Sequence, residues 1–541
     1  MDHNIPPLLT LIGDEEENFY QLGVKDRENY SATFKHLKSL TSLNNQFIDL
    51  IIEETVGKLG SSVIGKSPVL YSNLKAYTDG LEINLNKFLS LFLFPEILSS
   101  LNKWIPGVNT FLTGCSSVFI NHNDSPHHLR ILDYPLVGSF DVKERMIIYK
   151  FKNRPQVLSF GSAGLPYPSL TAMNSEGITL ALHQKCSNYF NLRGNSIFDI
   201  CYKILMECSD LKSTLKLLKQ HPSLTAWGIN LSFKDGTVAS IDIAGEQLVK
   251  KEYQISEHNY LYFNNMPIQH NNHLDQTIPY GLTNYCEMRT KSFNQQVART
   301  KNKKIKPLEM LQLLSSPIVK KNKTAEEWNM SPLTISSVNI VAMNAKEGEA
   351  LNILGPAPKF FNNSVLKLKS IWINPINEII DFKEIKTSSK SFNDGFYNWA
   401  RAQAELDKKN IHLAFHHIQI AIDHFSDTPE QTITKFFFLC MRYIHHKTTK
   451  DLGVLTIEFQ AILDQLPTYL KDHNRLFIFR IEMLLFKKSN ISENDFENEA
   501  LKKVFLFEQK LKPFSLKLLR KLMIIRMETL DILYPYFKIV S

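Results

Sequence analysis

The sequence predicts an α+β fold in which two stacked, mainly antiparallel sheets are flanked by helices. Three observations predict it. Residues 1–110 place apolar side chains at three- and four-residue spacings, as in NQFIDLIIEETVGKLG at 45–60 and LEINLNKFLSLFLF at 81–94, the period of an amphipathic helix. From 115 to 360 the texture changes to short β-branched or aromatic runs, among them SSVFINH, LRILDY, MIIYKF, WGINLSF, VASIDIA and SSVNIVAM. Gly, Pro, Asn or Asp bounds each run, the mark of strands closed by turns. From about 390 the strands stop and amphipathic helical segments follow one another with short polar breaks.

The middle region is interrupted by one helical stretch, SIFDICYKILMECSDLKSTLKLLKQH at 196–221. Runs of strands with one helical interruption predict antiparallel pairing rather than βαβ crossovers. The expected organisation is an N-terminal helical region over 1–114, a sheet domain over 115–385 and an all-helical, repeat-like domain over 390–541. Stacked helix pairs of the last kind serve packing, partner binding or self-association.

Composition narrows the class. The chain has 541 residues, 43% of them hydrophobic and 21% charged, an ordinary globular balance that excludes disordered, collagen-like and coiled-coil chains. A net charge of +8 from 62 basic and 54 acidic side chains is a mild excess, far from a nucleic-acid surface. The densest basic stretches, RTKNKKIK at 299–306 and KKNK at 320–323, are expected to be solvated loops. Six cysteines without a C-x-x-C pair exclude a zinc ribbon and a thioredoxin motif, and their scatter suits a reducing compartment. The opening lacks a basic leader region. The longest apolar run, FLSLFLFPEIL at 88–98, is too short to span a bilayer. A cytoplasmic protein without a membrane segment is the expectation. His412 and His416 share a helix face without the glutamate of a metalloprotease motif. HNDSPHH at 122–128 and HNNH at 270–273 are expected to be loops, and no metal is expected.

The chemistry concentrates in TGCSSVFINHNDSPHHLRILDYP at 113–135. Gly114 gives the backbone freedom, Cys115 begins the first strand of the middle region, and Arg130 and Asp133 follow as R-x-x-D on the returning strand. The order predicts an arginine and a carboxylate beside the cysteine. Further along stand TAMNSEGITLALHQ at 171–184, NYLYFNNMP at 259–267 and NYCEMR at 284–289, while LTLIGDEEENFYQLGVKDREN opens the chain.

Taken in order, these segments resemble the cysteine N-terminal-nucleophile hydrolases. The nearest branch is the self-processing peptidase C45 group of acyl-CoA:6-aminopenicillanic acid acyltransferase, related to choloylglycine hydrolases, penicillin V acylases and acid ceramidase. The resemblance covers roughly residues 8–360. It implies a four-layer αββα sandwich, self-cleavage between Gly114 and Cys115, a propeptide-like region before the cut, and no cofactor. It also implies a small N-acyl amide or acyl donor as substrate. By the same resemblance Cys115 is the nucleophile, Arg130 and Asp133 its partners, and Asn265 the strand-end asparagine. Arg289 becomes the helix arginine, and Gln184 and Asn174 lie near the substrate, Asn174 also forming the NSEG turn.

The chemistry of the residues agrees. A chain-terminal Cys115 would hold an α-amine with a pKa of about 7.7–8.0 beside a thiol near about 8.5, so that base and nucleophile share one residue. Asp133 would orient the ammonium, Arg130 would favour the thiolate, and Asn265 with backbone N–H groups near Gln184 would hold the oxyanion. Two alternatives stand beside this expectation. One is an inactive scaffold of the same fold, with the helical tail as its protein-binding surface. The other, a papain-like protease, needs its cysteine on a helix N-terminus, whereas Cys115 opens a strand.

Overall fold

The computed structural model describes residues 5–41, 46–96, 114–187, 189–257, 259–269, 280–298, 300, 304–315, 333–359, 364–382, 390–446 and 448–534. HNNH, KKNK and half of RTKNKKIK lie outside the described residues, as does the 97–113 segment that leads into Gly114.

The strands, in chain order, are β1 (Leu8–Gly13), β2 (Cys115–His122), β3 (Ser125–Asp133), β4 (Glu144–Phe151), β5 (Val157–Ser162), β6 (Thr171–Asn174), β7 (Thr179–Gln184), β8 (Trp227–Ser232), β9 (Thr237–Ala244), β10 (Gln247–Gln254), β11 (Tyr260–Phe263), β12 (Ser337–Asn344), β13 (Glu349–Ile353), β14 (Ser364–Lys369) and β15 (Ile376–Asp381). They form an eight-stranded sheet in the order β1-β4-β5-β6-β7-β8-β9-β10 and a seven-stranded sheet in the order β11-β2-β3-β12-β13-β14-β15. Every pairing is antiparallel except β1 with β4, which is parallel. The sheets meet through β2 on β7, β3 on β8 and β12 on β6. The α+β class therefore holds.

Among the described residues the helices after β1 include Glu15–Asp26, Tyr30–Thr41, Gln46–Ile64, Pro68–Leu81 and Leu85–Phe92. Asp14 starts the first, its carboxylate accepting the Glu17 N–H at 3.0 Å, with Glu15, Glu16 and Glu17 at the positive end of the helix dipole. The first and fourth helices cross with their backbones nearly touching: a Cβ on Gly23 would lie 2.2 Å from the Tyr77 carbonyl oxygen. Phe19 and Phe88 bury fully, in one apolar core with Ile131 and Leu180 of the sheets and Trp399 and Phe437 of the tail.

Three expectations are corrected. The 196–221 stretch is two helices, Ile197–Glu207 and Leu211–Gln220, because Asp210 accepts the Ser213 N–H at 2.7 Å and starts a new N-terminus. HNDSPHH is not a loop. Only Asn123 and Asp124 turn, with φ of 53° and 54°, the left-handed pair of a tight hairpin, and His127 and His128 belong to β3. The tail, finally, is not all-helical. Among the described residues, seven α-helices between Lys390 and Leu519 are followed by a hairpin of β16 (Ile524–Arg526) and β17 (Asp531–Leu533). Arg526 of this hairpin is buried between Asp407, at 2.8 Å, and Glu528, which draws the last turn into the interior. His412 and His416 lie one turn apart on the Ile411–His424 helix. Among the described residues no group of three His, Cys, Asp or Glu side chains is placed to hold a metal. Among those residues, too, no helix is long and apolar enough to cross a membrane.

Candidate active site

The hairpin of β2 and β3 builds the site. Cys115 pairs with Leu132, Ser117 with Arg130 and Phe119 with His128, and residues directly opposite one another share a face. Cys115, Ser117, Arg130 and His128 therefore all point at the eight-stranded sheet. Asp133 lies an odd number of residues from Arg130 and points the other way, an outcome of the two-residue strand period. The expected trio thus splits, with arginine at the thiol and carboxylate at the backbone of residue 114.

On the inner face Arg130 Nη2 stands 2.8 Å from Cys115 Sγ and donates to the Leu182 carbonyl at 2.6 Å. Its Nη1 donates to His183 Nε2 at 3.0 Å. Arg130 is wholly buried, and no carboxylate pairs with it among the described residues. Burial pushes the Cys115 thiol above its ordinary value, opposed by the guanidinium charge of Arg130.

On the outer face the Asp133 carboxylate accepts the Ser337 hydroxyl, the Tyr285 hydroxyl at 3.4 Å and Arg289 Nη1 at 3.3 Å. Burial raises its pKa, and Arg289 pulls it back. The Asp133 N–H donates to the Gly114 carbonyl at 3.0 Å. Gly114 has φ +111°, and a Cβ there would sit 2.5 Å from Asp133 Oδ2.

Asn265 and Arg289 close the ring around Cys115. The Cys115 N–H donates to Asn265 Oδ1 at 2.8 Å, Asn265 Nδ2 donates to the Gln184 carbonyl at 3.1 Å, and Arg289 Nη2 donates to Asn265 Oδ1 at 3.1 Å. Arg289, on the Tyr280–Ala298 helix, also donates through Nη1 to the Cys115 carbonyl at 3.1 Å and to Ser116 Oγ at 3.2 Å. Asn265 thus meets Cys115 through its carbonyl oxygen, not through the amide N–H that an oxyanion donor would offer. Gln184 enters through its backbone carbonyl.

Cys115, Arg130, Asp133, Asn265, Arg289, Gly114 and Gln184 come together; Asn174 does not. Its Oδ1 accepts the Ile178 N–H at 2.9 Å, and its Nδ2 donates to the carbonyls of Leu205 at 2.9 Å and Cys208 at 3.1 Å. That closes a turn and caps a helix end, which corrects the expectation of a substrate-adjacent residue. Sequence reasoning passed over His183, His128 and Ser117, whose only signal was strand parity with Cys115 and Arg130. Beside Asn265, a cavity of about 840 Å³ is lined by Tyr262, Phe263, Asn264, Met266, Lys185 and Cys286, among others, a volume in the range of small-molecule sites. All six cysteines are free and buried.

No family model matches the chain, and no curated protein matches it. Among solved structures, penicillin V acylase from Agrobacterium tumefaciens is similar over 51% of this chain and 88% of that chain, at 12% sequence identity and a TM-score of 0.29, too low to establish a shared fold.

Proposed function

We propose that this chain is a self-activating cysteine amidohydrolase or acyltransferase of the N-terminal-nucleophile type, with an αββα arrangement around Cys115. The observation that carries the proposal is a buried guanidinium without a carboxylate partner among the described residues, aimed at a thiol 2.8 Å away. An uncompensated buried cation is expensive, and the thiolate of Cys115 is the anion within its reach.

In processing, Sγ attacks the Gly114 carbonyl carbon. A C–S bond forms, the Gly114–Cys115 C–N bond breaks, and the thiol proton ends on the Cys115 nitrogen. The Asp133 N–H, already on the Gly114 oxygen at 3.0 Å, stabilises the charge that develops there. Water then cleaves the thioester and leaves a free α-amine held by Asn265 Oδ1. In turnover that amine takes the thiol proton, the thiolate attacks the carbonyl of a linear amide, and the proton passes to the departing amine. Water or an acceptor amine resolves the thioester. The cavity lined by Asn264 and Met266, the chain neighbours of Asn265, offers Tyr262, Phe263 and Met266 to an apolar acyl part, with Lys185, Lys251 and Lys291 on the same wall.

Intact-mass analysis tests the first half. Cleavage before Cys115 yields fragments of 114 and 427 residues, and Cys115→Ala stays whole; a cut at the same bond in Cys115→Ala would assign the cleavage to another protease. A panel of N-acyl amino acids, penicillin V and N-acyl sphingoid amides, with mass-spectrometric trapping of the thioester, tests the second. Processed protein that turns over none of them and forms no adduct would leave the scaffold reading in force.

A further inference from the structure

The Cys115–Arg130 contact continues into a chain of buried side chains that no step above uses. His183 Nε2 lies 3.0 Å from Arg130 Nη1 and 2.8 Å from Ser117 Oγ. Ser117 Oγ lies 2.9 Å from His128 Nε2, His128 Nδ1 2.9 Å from Thr179 Oγ1, and Thr179 Oγ1 2.6 Å from Ser232 Oγ. These residues come from β2, β3, β7 and β8, so the chain crosses between the sheets.

Donor chemistry orders it completely. Arginine can only donate, so His183 Nε2 carries a bare lone pair and the proton sits on Nδ1. A Ser117 hydroxyl turned toward His128 would set its own lone pairs against that nitrogen. Ser117 therefore donates to His183 and accepts from the Nε2–H of His128. The Nδ1 of His128 is then bare and accepts from Thr179. Burial first, and then the charges of Arg130 and Lys185 with His128 and Arg289, hold His183 neutral; His128 is neutral for the same reason, burial first and Arg130 second. His183 Nδ1 has no partner among the described residues. An orphaned buried donor is costly, and the fold tolerates it while keeping the Nε2 lone pair for Arg130 and Ser117.

We propose that His183 is the positioning residue of the Cys115–Arg130 pair: its Nε2 lone pair holds one arm of the guanidinium so that the other faces the thiol, and the Ser117–His128–Thr179 chain keeps His183 in the required tautomer. A carboxylate in the place of His183 would hold the arginine equally well, but it would neutralise the charge that the thiolate needs. A neutral acceptor aims the guanidinium and leaves its charge for sulfur. The inference rests on the part of the proposed function in which Arg130 stabilises a Cys115 thiolate.

The test titrates the thiolate by its ultraviolet absorbance on the full chain, each variant read against its own Cys115→Ala counterpart, which requires neither turnover nor access of a reagent. His183→Leu should move the Cys115 midpoint up by about one pH unit, a tenfold loss of proton acidity. His183→Gln, whose amide oxygen can replace the lone pair, should restore it. Equal midpoints in wild type and His183→Leu would overturn the proposal. Should His183→Leu not fold, nitrogen chemical shifts of the wild-type histidines, assigned by difference with His183→Gln, decide the matter. A neutral Nδ1–H tautomer supports it, and an Nε2–H tautomer or ordinary titration overturns it. A His183-dependent midpoint in a protein without processing or amidase activity would defeat the proposed function and leave this inference standing.

Discussion

Gly114 is constrained twice over. Its φ of +111° lies where L-residues rarely go, and a Cβ would press on the Asp133 carboxylate, so the residue before the proposed cut can hardly be other than glycine. Gly114→Ala should place the carbonyl out of line with Sγ and slow self-cleavage by about a hundredfold, the typical cost of misplacing a reacting group. A time course of intact mass reads it, and cleavage at the wild-type rate would show that the backbone conformation of Gly114 does not matter to the cut. Asn265 offers a second test, because its two ends do different work. The carbonyl oxygen receives both the Cys115 N–H and Arg289, and Asn265→Ala strands both donors in the interior. Turnover should fall about 100- to 1,000-fold, the range for losing one preorganised polar contact. Asn265→Asp keeps an acceptor at that point and should retain more activity than alanine. If aspartate is as inactive as alanine, the amide N–H is the working end and Asn265 belongs to the oxyanion.

At the level of elements, a buried carboxyl ties the N-terminal helices to the sheet domain. Glu96 accepts the Ser196 hydroxyl at 2.6 Å and the Ile197 N–H at 2.9 Å, at the N-terminus of the Ile197–Glu207 helix. Burial outweighs those bonds and raises its pKa from 4.5 to about 7. A folded-state value above the unfolded one means that the protonated carboxyl stabilises. Its contribution is complete below about pH 4.5 and disappears as pH rises through about 7. On the order of 3 kcal/mol of stability should therefore fade over that interval. Denaturant midpoints at both ends of the interval should differ more in wild type than in Glu96→Gln, and parallel pH dependences in the two proteins would dismiss Glu96 as the source. The same scale explains what the sequence made legible. The change from helical to alternating texture at Cys115 and the ordered motifs were visible because hydrophobic period and turn residues are local properties. The division of R-x-x-D between two faces was implicit in its spacing. The break at Asp210 rests on a local cap to Ser213 that the helical periodicity masked, whereas the meeting of His128 with His183 through Ser117 depends on contacts between sheets, which no local pattern encodes.

At the scale of the whole molecule, the region before Gly114 is part of the structure that it precedes. Strand β1 pairs with β4 along its full length, Leu8 to Gly13 against Met146 to Phe151. Asp26 and Arg145 form a buried ion pair, with Tyr77 donating to the same carboxylate at 2.5 Å. Phe19 packs on Tyr149, Phe151 and Tyr167 with ring centroids 5.3–6.4 Å apart, and Glu15 receives the Tyr202 hydroxyl at 2.6 Å. Cutting one peptide bond at Gly114 removes none of these contacts. Release of the N-terminal piece would strip an edge strand from the eight-stranded sheet, expose those aromatic rings and leave Arg145 buried without its carboxylate, a loss of about 3–5 kcal/mol for that pair alone. The two fragments should therefore separate on a denaturing gel yet travel together in size-exclusion chromatography and native mass spectrometry. Asp26→Ala should weaken their association, seen as a lower denaturant concentration for dissociation of the processed protein. A processed sample whose short fragment washes away under native conditions would mean that the region acts as a removable propeptide, and that the sheet survives without its first strand.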